Sequence, residues 1–334
     1  KTVLLNRFVE IAEQEGLAVG FIEAPESGNF PSLLVSRMRK ILLGYDTARA
    51  SAKVLKALRV LKTFSLQLPD GSTVSIGVDA LRGSADSGNL SDDLTDLLVA
   101  AGEAAAERES GILLAIDEVQ YLSASELGAL ITAIHRTGQK DLPVVLVGAG
   151  LPQLPALAGQ AKSYAERLFE FPRLDSLDPD DARAAITVPA ADRGVEFTDA
   201  AVDAIVDHTR GYPYFLQEWG YRVWNAADAS PIGRDLLDRV TPSLMRHLDE
   251  NFFRVRFDRL TPAERSYLRA MAELGPGPHR SGDIAAQLGL KVESVAPRRS
   301  ALISKGMLYS PAHGDTAFTV PLFDEFLRRN QPEP

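Results

Sequence analysis

Ile112-Leu113-Leu114-Ala115-Ile116-Asp117-Glu118 is the stretch on which the reading of this chain turns. Five apolar residues in a row end in two carboxylates, with Gly111 in front of them. A short, uninterrupted apolar run of this kind reads as a strand buried on both faces, as in a parallel sheet. Two acids at its carboxyl end lie where open parallel sheets bind their ligands. The plain structural alternative is an apolar strand that happens to finish in a polar turn.

The surroundings support the first reading. Leu17–Ala24 and Leu142–Gly150 are further apolar runs bounded by Gly or Pro, and 169–174, FEFPRL, is a shorter strand candidate. Helical spacing of apolar residues covers 2–15, 31–44, 47–62, 92–109 and 124–137, with Gly16 placed to end the first of these. FSLQL (64–68) and TVSIGV (73–78) flank Pro69-Asp70-Gly71-Ser72, which predicts a hairpin, and the small polar residues of 80–90 predict a mobile loop. Strands alternating with helices over 1–174 predict a parallel sheet covered on both faces. Beyond 178 only helices are predicted, near 178–190, 198–210, 213–227, 232–253 and 262–274. The tail, 281–329, reads helix, helix, hairpin, helix.

Composition narrows the classes. The 334 residues are 45% hydrophobic and 24% charged, with no cysteine, so disulfides and thiolate metal sites are excluded. Five scattered histidines give no metal-ligand spacing. No apolar stretch reaches the roughly 20 residues of a membrane helix, and no signal-peptide pattern opens the chain. A cytoplasmic protein without membrane contact is the expectation. Net charge is −9, yet 254–310 hold ten Arg/Lys against five Asp/Glu. A basic module on an acidic body points to local nucleic-acid contact or, equally, to a solvated face.

The chemistry of the acids follows from their position. In P-loop enzymes the first acid of such a strand holds the water shell of Mg²⁺, and an adjacent acid acts as general base on the attacking water. Lys1-Thr2, followed at once by an amphipathic helix, supplies the last two letters of G-x-x-x-x-G-K-[ST], a loop that presents phosphate to a helix N-terminus.

Lys1-Thr2-Val3-Leu4-Leu5-Asn6, the 112–118 strand, Gly148-Ala149-Gly150, Ala165-Glu166-Arg167-Leu168-Phe169 and Gly211-Tyr212-Pro213 occur in this order. Together they give a chain that resembles the archaeal-type ATPase branch of P-loop proteins, close to initiator-type AAA+ and STAND ATPases. The resemblance implies a three-layer α/β/α P-loop core at 1–177, an all-α lid at 178–253 and a winged-helix domain at 254–334. It also implies ATP and Mg²⁺ as ligands. Lys1 would contact the phosphates, Thr2 and Asp117 would hold Mg²⁺, and Glu118 would be the catalytic glutamate. Arg167 resembles an arginine finger acting on a neighbouring subunit, and Gly211 and Pro213 match the nucleotide-facing G-x-P element of STAND proteins.

Two departures stand out. The glycine-rich part of the phosphate loop and its strand are missing, so the chain reads as truncated within the Walker A motif and is not expected to grip ATP with normal affinity. After the 143–148 strand a polar sensor residue gives way to Gly-Ala-Gly, with Gln153 as the nearest substitute and slow, switch-like hydrolysis as the expectation.

At the C-terminal end, Ser281 to Gly289 and Val292 to about Lys305 read as a helix-turn-helix, followed by a two-stranded wing. Arg298, Arg299 and Lys305 lie on or near the second helix and are the candidates for duplex DNA, with packing against a protein partner as the alternative. Pro297 is awkward inside that helix, which therefore starts either before it or at it. The leading reading is an ATP-hydrolysing switch coupled to this module. The alternative is a nucleotide-regulated DNA-binding or protein-interaction module with little ATPase activity.

Overall fold

A computed structural model describes residues 1–26, 29–45, 51–68 and 75–330. The chain divides into two compact units, Lys1–Pro172 and Arg173–Pro334.

In the first unit, helix α1 (Thr2–Gln14) ends at Gly16, whose φ of +77° lets the chain reverse. Gly16 N donates to Glu13 O and Leu17 N to Ala12 O, the paired bonds of a Schellman cap. The reversal feeds strand β1 (Ala18–Glu23). Helices α2 (Phe30–Gly44), α3 (Ala52–Leu66) and α4 (Leu90–Glu107) follow, then strand β2 (Ile112–Asp117). Helix α5 (Ala124–Gln139), strand β3 (Val144–Gly148) and the short helices α6 (Leu154–Ala161) and α7 (Ala165–Leu168) complete the unit. The sheet is parallel, in the order β1-β2-β3. Its centre is β2, buried at every position, which is why that strand shows no alternation of polar and apolar residues. The register sets Glu23 opposite Asp117 and Ile116 opposite Gly148. Gly102 on α4 is required by contact: a Cβ there would lie 2.9 Å from Leu142 Cβ and 3.0 Å from Val144 Cγ2.

Two sequence expectations fail here. The first is the hairpin. Phe64, Ser65 and Leu66 are the last turn of α3, because Val54, Ala57, Leu58, Leu61 and Phe64 form one buried helical stripe. A short run in which both periodicities fit followed the longer one. The turn 69–72 lies outside the described residues. Instead of a strand, 76–81 runs beside α3, held by Lys62 Nζ on Val78 O (2.6 Å) and by Leu81 N on Thr63 Oγ1 (2.8 Å). The second is 169–174, which is not a strand. Phe169 and Phe171 pack against the core, and Pro172 removes a donor from the backbone. The 80–90 stretch has no strand and no helix before Leu90. Asp93 and Asp96 of α4 accept hydrogen bonds from Ser87, Gly88 and Ala85.

In the second unit come α8 (Pro179–Ala191), α9 (Asp199–Thr209), α10 (Pro213–Ala226) and α11 (Arg234–Leu248). A π turn at Asp249–Phe253 joins α11 to α12 (Arg254–Phe257). Helix α13 (Pro262–Glu273) opens on a capping box of Thr261 and Glu264. Then follow β4 (His279–Arg280), α14 (Ser281–Gln287), α15 (Val292–Ser304), β5 (Leu308–Tyr309), β6 (Asp315–Phe318) and α16 (Phe323–Asn330). Where a two-stranded hairpin is predicted, the structure has a three-stranded antiparallel sheet, β4-β6-β5, because His279 and Arg280 pair with Thr316 and Asp315. Helix α15 runs straight through Pro297, which leaves Arg298 and Arg299 in its middle rather than in its first turn.

One aromatic core runs through this unit. Phe253 lies 5.8 Å from Phe215 of α10 and 5.3 Å from Phe326 of α16, ring centre to ring centre. The expected boundary at 253/254 falls inside that cluster. Polar ties add to it: Arg210 after α9 reaches Glu325 (2.6 Å), and Arg329 reaches Asp249 (2.8 Å). No helix among the described residues is long and apolar enough to cross a membrane.

Candidate active site

Thr2 and Asp117 are 115 positions apart in sequence and in contact in space: Thr2 Oγ1 donates to Asp117 Oδ2 at 2.6 Å. Thr2 is the first residue of α1, and Asp117 is the last of the central strand. Asp117 is only 5% exposed. Its second oxygen, Oδ1, accepts the backbone N–H of Glu118 at 2.9 Å. A hydroxyl and a buried carboxylate at one point are hard oxygen donors, the type Mg²⁺ takes alongside water and phosphate. Lys1 caps α1 and is exposed, and its carbonyl accepts Leu5 N at 2.9 Å.

Past Asp117 the chain must turn sharply. Glu118 does this in the left-handed region, φ 54° and ψ 39°, which costs a non-glycine residue about 1–2 kcal/mol. Val119–Tyr121 then form a single 3-10 turn. What holds the strained residue is the neighbouring turn after β3. Val119 N donates to Ala149 O (3.0 Å), and Ala149 N donates to Ile116 O (2.8 Å). The two turns lie so close that Gly148-Ala149-Gly150 has a packing reason. A Cβ at Gly148 would stand 3.1 Å from Val119 Cγ2, and one at Gly150 would stand 3.0 Å from Gln120 Oε1.

A cavity of about 500 Å³ opens beside the acids, lined by Glu23, Ala24, Pro25, Glu26, Glu118 and Tyr121. Tyr121 Oη donates to Glu26 Oε1 at 3.0 Å across its rim. Glu23, Glu26 and Tyr121 carried no signal in the sequence, since only the sheet register brings the end of β1 beside Asp117.

Gln153, the expected substitute for a sensor residue, caps α6 with a buried Oε1 that has no hydrogen-bond partner among the described residues. Gln120 instead reaches the turn after β3, where its Oε1 accepts Leu151 N at 3.1 Å. A glutamine two positions after the acid pair was its only trace in the sequence.

The remaining candidates lie apart from this group in sequence and element. Arg167 is exposed on α7 in the first unit. In the second unit, Gly211 has φ +67° and Pro213 starts α10. Arg299 is engaged within the module, donating to Thr316 Oγ1 (2.7 Å), Ser310 Oγ (2.8 Å) and Asp315 O (2.9 Å). Lys305 pairs with Glu264 at 2.7 Å. Burial works to raise the Glu264 carboxyl, but the Lys305 and Thr261 hydrogen bonds outweigh it and hold the group below its ordinary value. Arg298 makes no hydrogen bond or ion pair with the described residues.

A family model described as a domain of unknown function (DUF8462) matches residues 250–327. No curated protein matches the chain. Among solved structures, it is similar to a Walker-type ATPase of Pyrococcus abyssi at 14% identity, with 97% of this chain and 94% of that chain covered and a TM-score of 0.50. It is also similar to Cdc6p of Pyrobaculum aerophilum, at 14% identity over 99% of this chain and 86% of that one, with a TM-score of 0.44. A RuvB variant of Thermotoga maritima matches at 19% identity over 98% and 93% of the two chains, with a TM-score of 0.39. The parallel sheet and the likeness to the Walker-type ATPase agree on one fold: a P-loop α/β/α core followed by a mostly helical C-terminal region.

Proposed function

We propose that this chain is the body of an ATP-hydrolysing switch of the AAA+/STAND kind, with its nucleotide at the amino end of α1. The observation that carries the reading is the 2.6 Å contact of Thr2 with Asp117, which joins the end of a phosphate-loop motif to the end of the central strand. Thr2 and Asp117 hold Mg²⁺, Lys1 and the free N–H groups of the first α1 turn face phosphate, and Glu118 is the base. When bound, Mg²⁺ neutralises charge on the transferred phosphoryl group. Glu118 lines the cavity next to Asp117, where a water has room to be oriented and to give up its proton. Arg167 is assigned as a charge-stabilising finger for a neighbouring copy.

The test uses a form extended upstream of Lys1 by a strand and the glycine-rich part of the loop. In it, Asp117→Asn is expected to abolish the Mg²⁺ dependence of ATP affinity measured by calorimetry. An unchanged Mg²⁺ effect would remove Asp117, and with it the proposed site.

The C-terminal module is assigned to a partner rather than to chemistry. Of the three basic candidates for duplex DNA, Arg299 and Lys305 already serve the module itself, so DNA contact rests on Arg298. If Arg298 meets phosphate, Arg298→Ala lowers duplex affinity and reduces the salt slope by about one. Equal binding of both proteins in a salt titration leaves protein contact as the module's role.

A further inference from the structure

We infer that Gln120 is a positioning residue that aims the Glu118 carboxylate and couples it to the turn after β3. The inference rests on the reading of Glu118 as the base.

Both ends of the Gln120 amide are in use. Its Nε2 donates to Glu118 Oε2, and its Oε1 accepts Leu151 N at 3.1 Å. The two bonds fix the sense of the amide. Reversed, it would set an oxygen against a carboxylate and an NH₂ group against an N–H, losing both interactions. One Glu118 oxygen is thereby held, while Oε1 makes no hydrogen bond to the described residues and is left to take a proton from water. Gly150 is part of the device, since a Cβ there would stand 3.0 Å from Gln120 Oε1 and 3.2 Å from Leu154 Cδ2. The turn therefore touches the amide directly. A shift of residues 149–151 moves Gln120, and Gln120 moves the carboxylate. The position that lacks a polar sensor side chain is thus connected to the base by a backbone N–H and one borrowed amide.

Gln120→Glu separates this role from simple packing. A carboxylate at 120 still accepts Leu151 N–H, but it has no N–H for Glu118. Amide exchange by NMR, on the chain as it stands, is expected to show Leu151 protected in wild type and in Gln120→Glu. In Gln120→Leu the same amide is expected to exchange about tenfold faster, the value of roughly one hydrogen bond. In the upstream-extended form, Gln120→Glu is expected to lower kcat by about 10- to 100-fold with ATP affinity unchanged. Wild-type turnover in Gln120→Glu, or loss of Leu151 protection in that variant, overturns the inference. The two failures are separable. If Glu118→Gln keeps full turnover, the base reading fails. If Glu118→Gln is inactive while Gln120→Glu turns over normally, only the role of Gln120 fails.

Discussion

Replacing Glu118 by Gln in the upstream-extended form is expected to lower ATP turnover by about 10²–10⁴-fold, the usual contribution of a positioned general base. That range is about 3–5 kcal/mol of barrier. Gln keeps the shape of the side chain and can still bond to the Gln120 amide, but it cannot accept a proton from water. Nucleotide binding should survive, because the proposed metal ligands, Thr2 and Asp117, make their 2.6 Å contact without it. Calorimetry for ATP and a phosphate-release assay for turnover separate the two. Turnover at the wild-type rate removes Glu118 from the mechanism and favours the alternative in which nucleotide is only a ligand.

The second large effect is on stability. Gly211→Ala is expected to destabilise the second unit by roughly 2–5 kcal/mol, the sum of a left-handed alanine at about 1–2 and an overpacking cost of about 1–3. Gly211 has φ +67°, and a Cβ on it would fall 2.4 Å from Leu177 O. The obstacle is backbone, and it is pinned, because Leu177 N donates to Gly211 O at 2.9 Å. Neither segment can yield without breaking that bond. Gly220, on α10, is the control: nothing lies within 4 Å of its would-be Cβ, so Gly220→Ala should be neutral or gain up to about 1 kcal/mol in helix propensity. Equal midpoints for the two variants in urea would contradict the packing account. The result also bears on the G-x-P motif, since its glycine is required by the fold before any nucleotide is considered.

The sequence made the core legible where one signal dominated. An apolar run without alternation identified β2 and its two acids, and helical spacing over 124–137 identified α5, which the structure opens on a capping box of Ser123 and Glu126. Reading failed where two signals overlapped. Phe64 to Leu68 satisfies strand alternation over five residues, but the stripe from Val54 onward needs the same Phe64 on a helix. At 169–174 the apolar residues were real, but they fill the core from a loop. The candidate site was half legible. Lys1, Thr2, Asp117 and Glu118 are recognisable by order, whereas Gln120 acquires a role only from Leu151, thirty-one positions on, and no local pattern reports that. The basic residues show the same limit. Spacing places Arg299 on α15 and Lys305 at its end but does not distinguish a side chain facing water from one tied to Thr316 or Glu264.

The phenylalanines around Phe253 bear on where the chain can be divided. With Phe215, Phe253 and Phe326 sharing one interior, and Arg329 bound to Asp249 at its edge, the four-helix region and the strand-bearing tail are built on a common core. Severing the chain at 253/254 would leave both pieces with an open, wet interior.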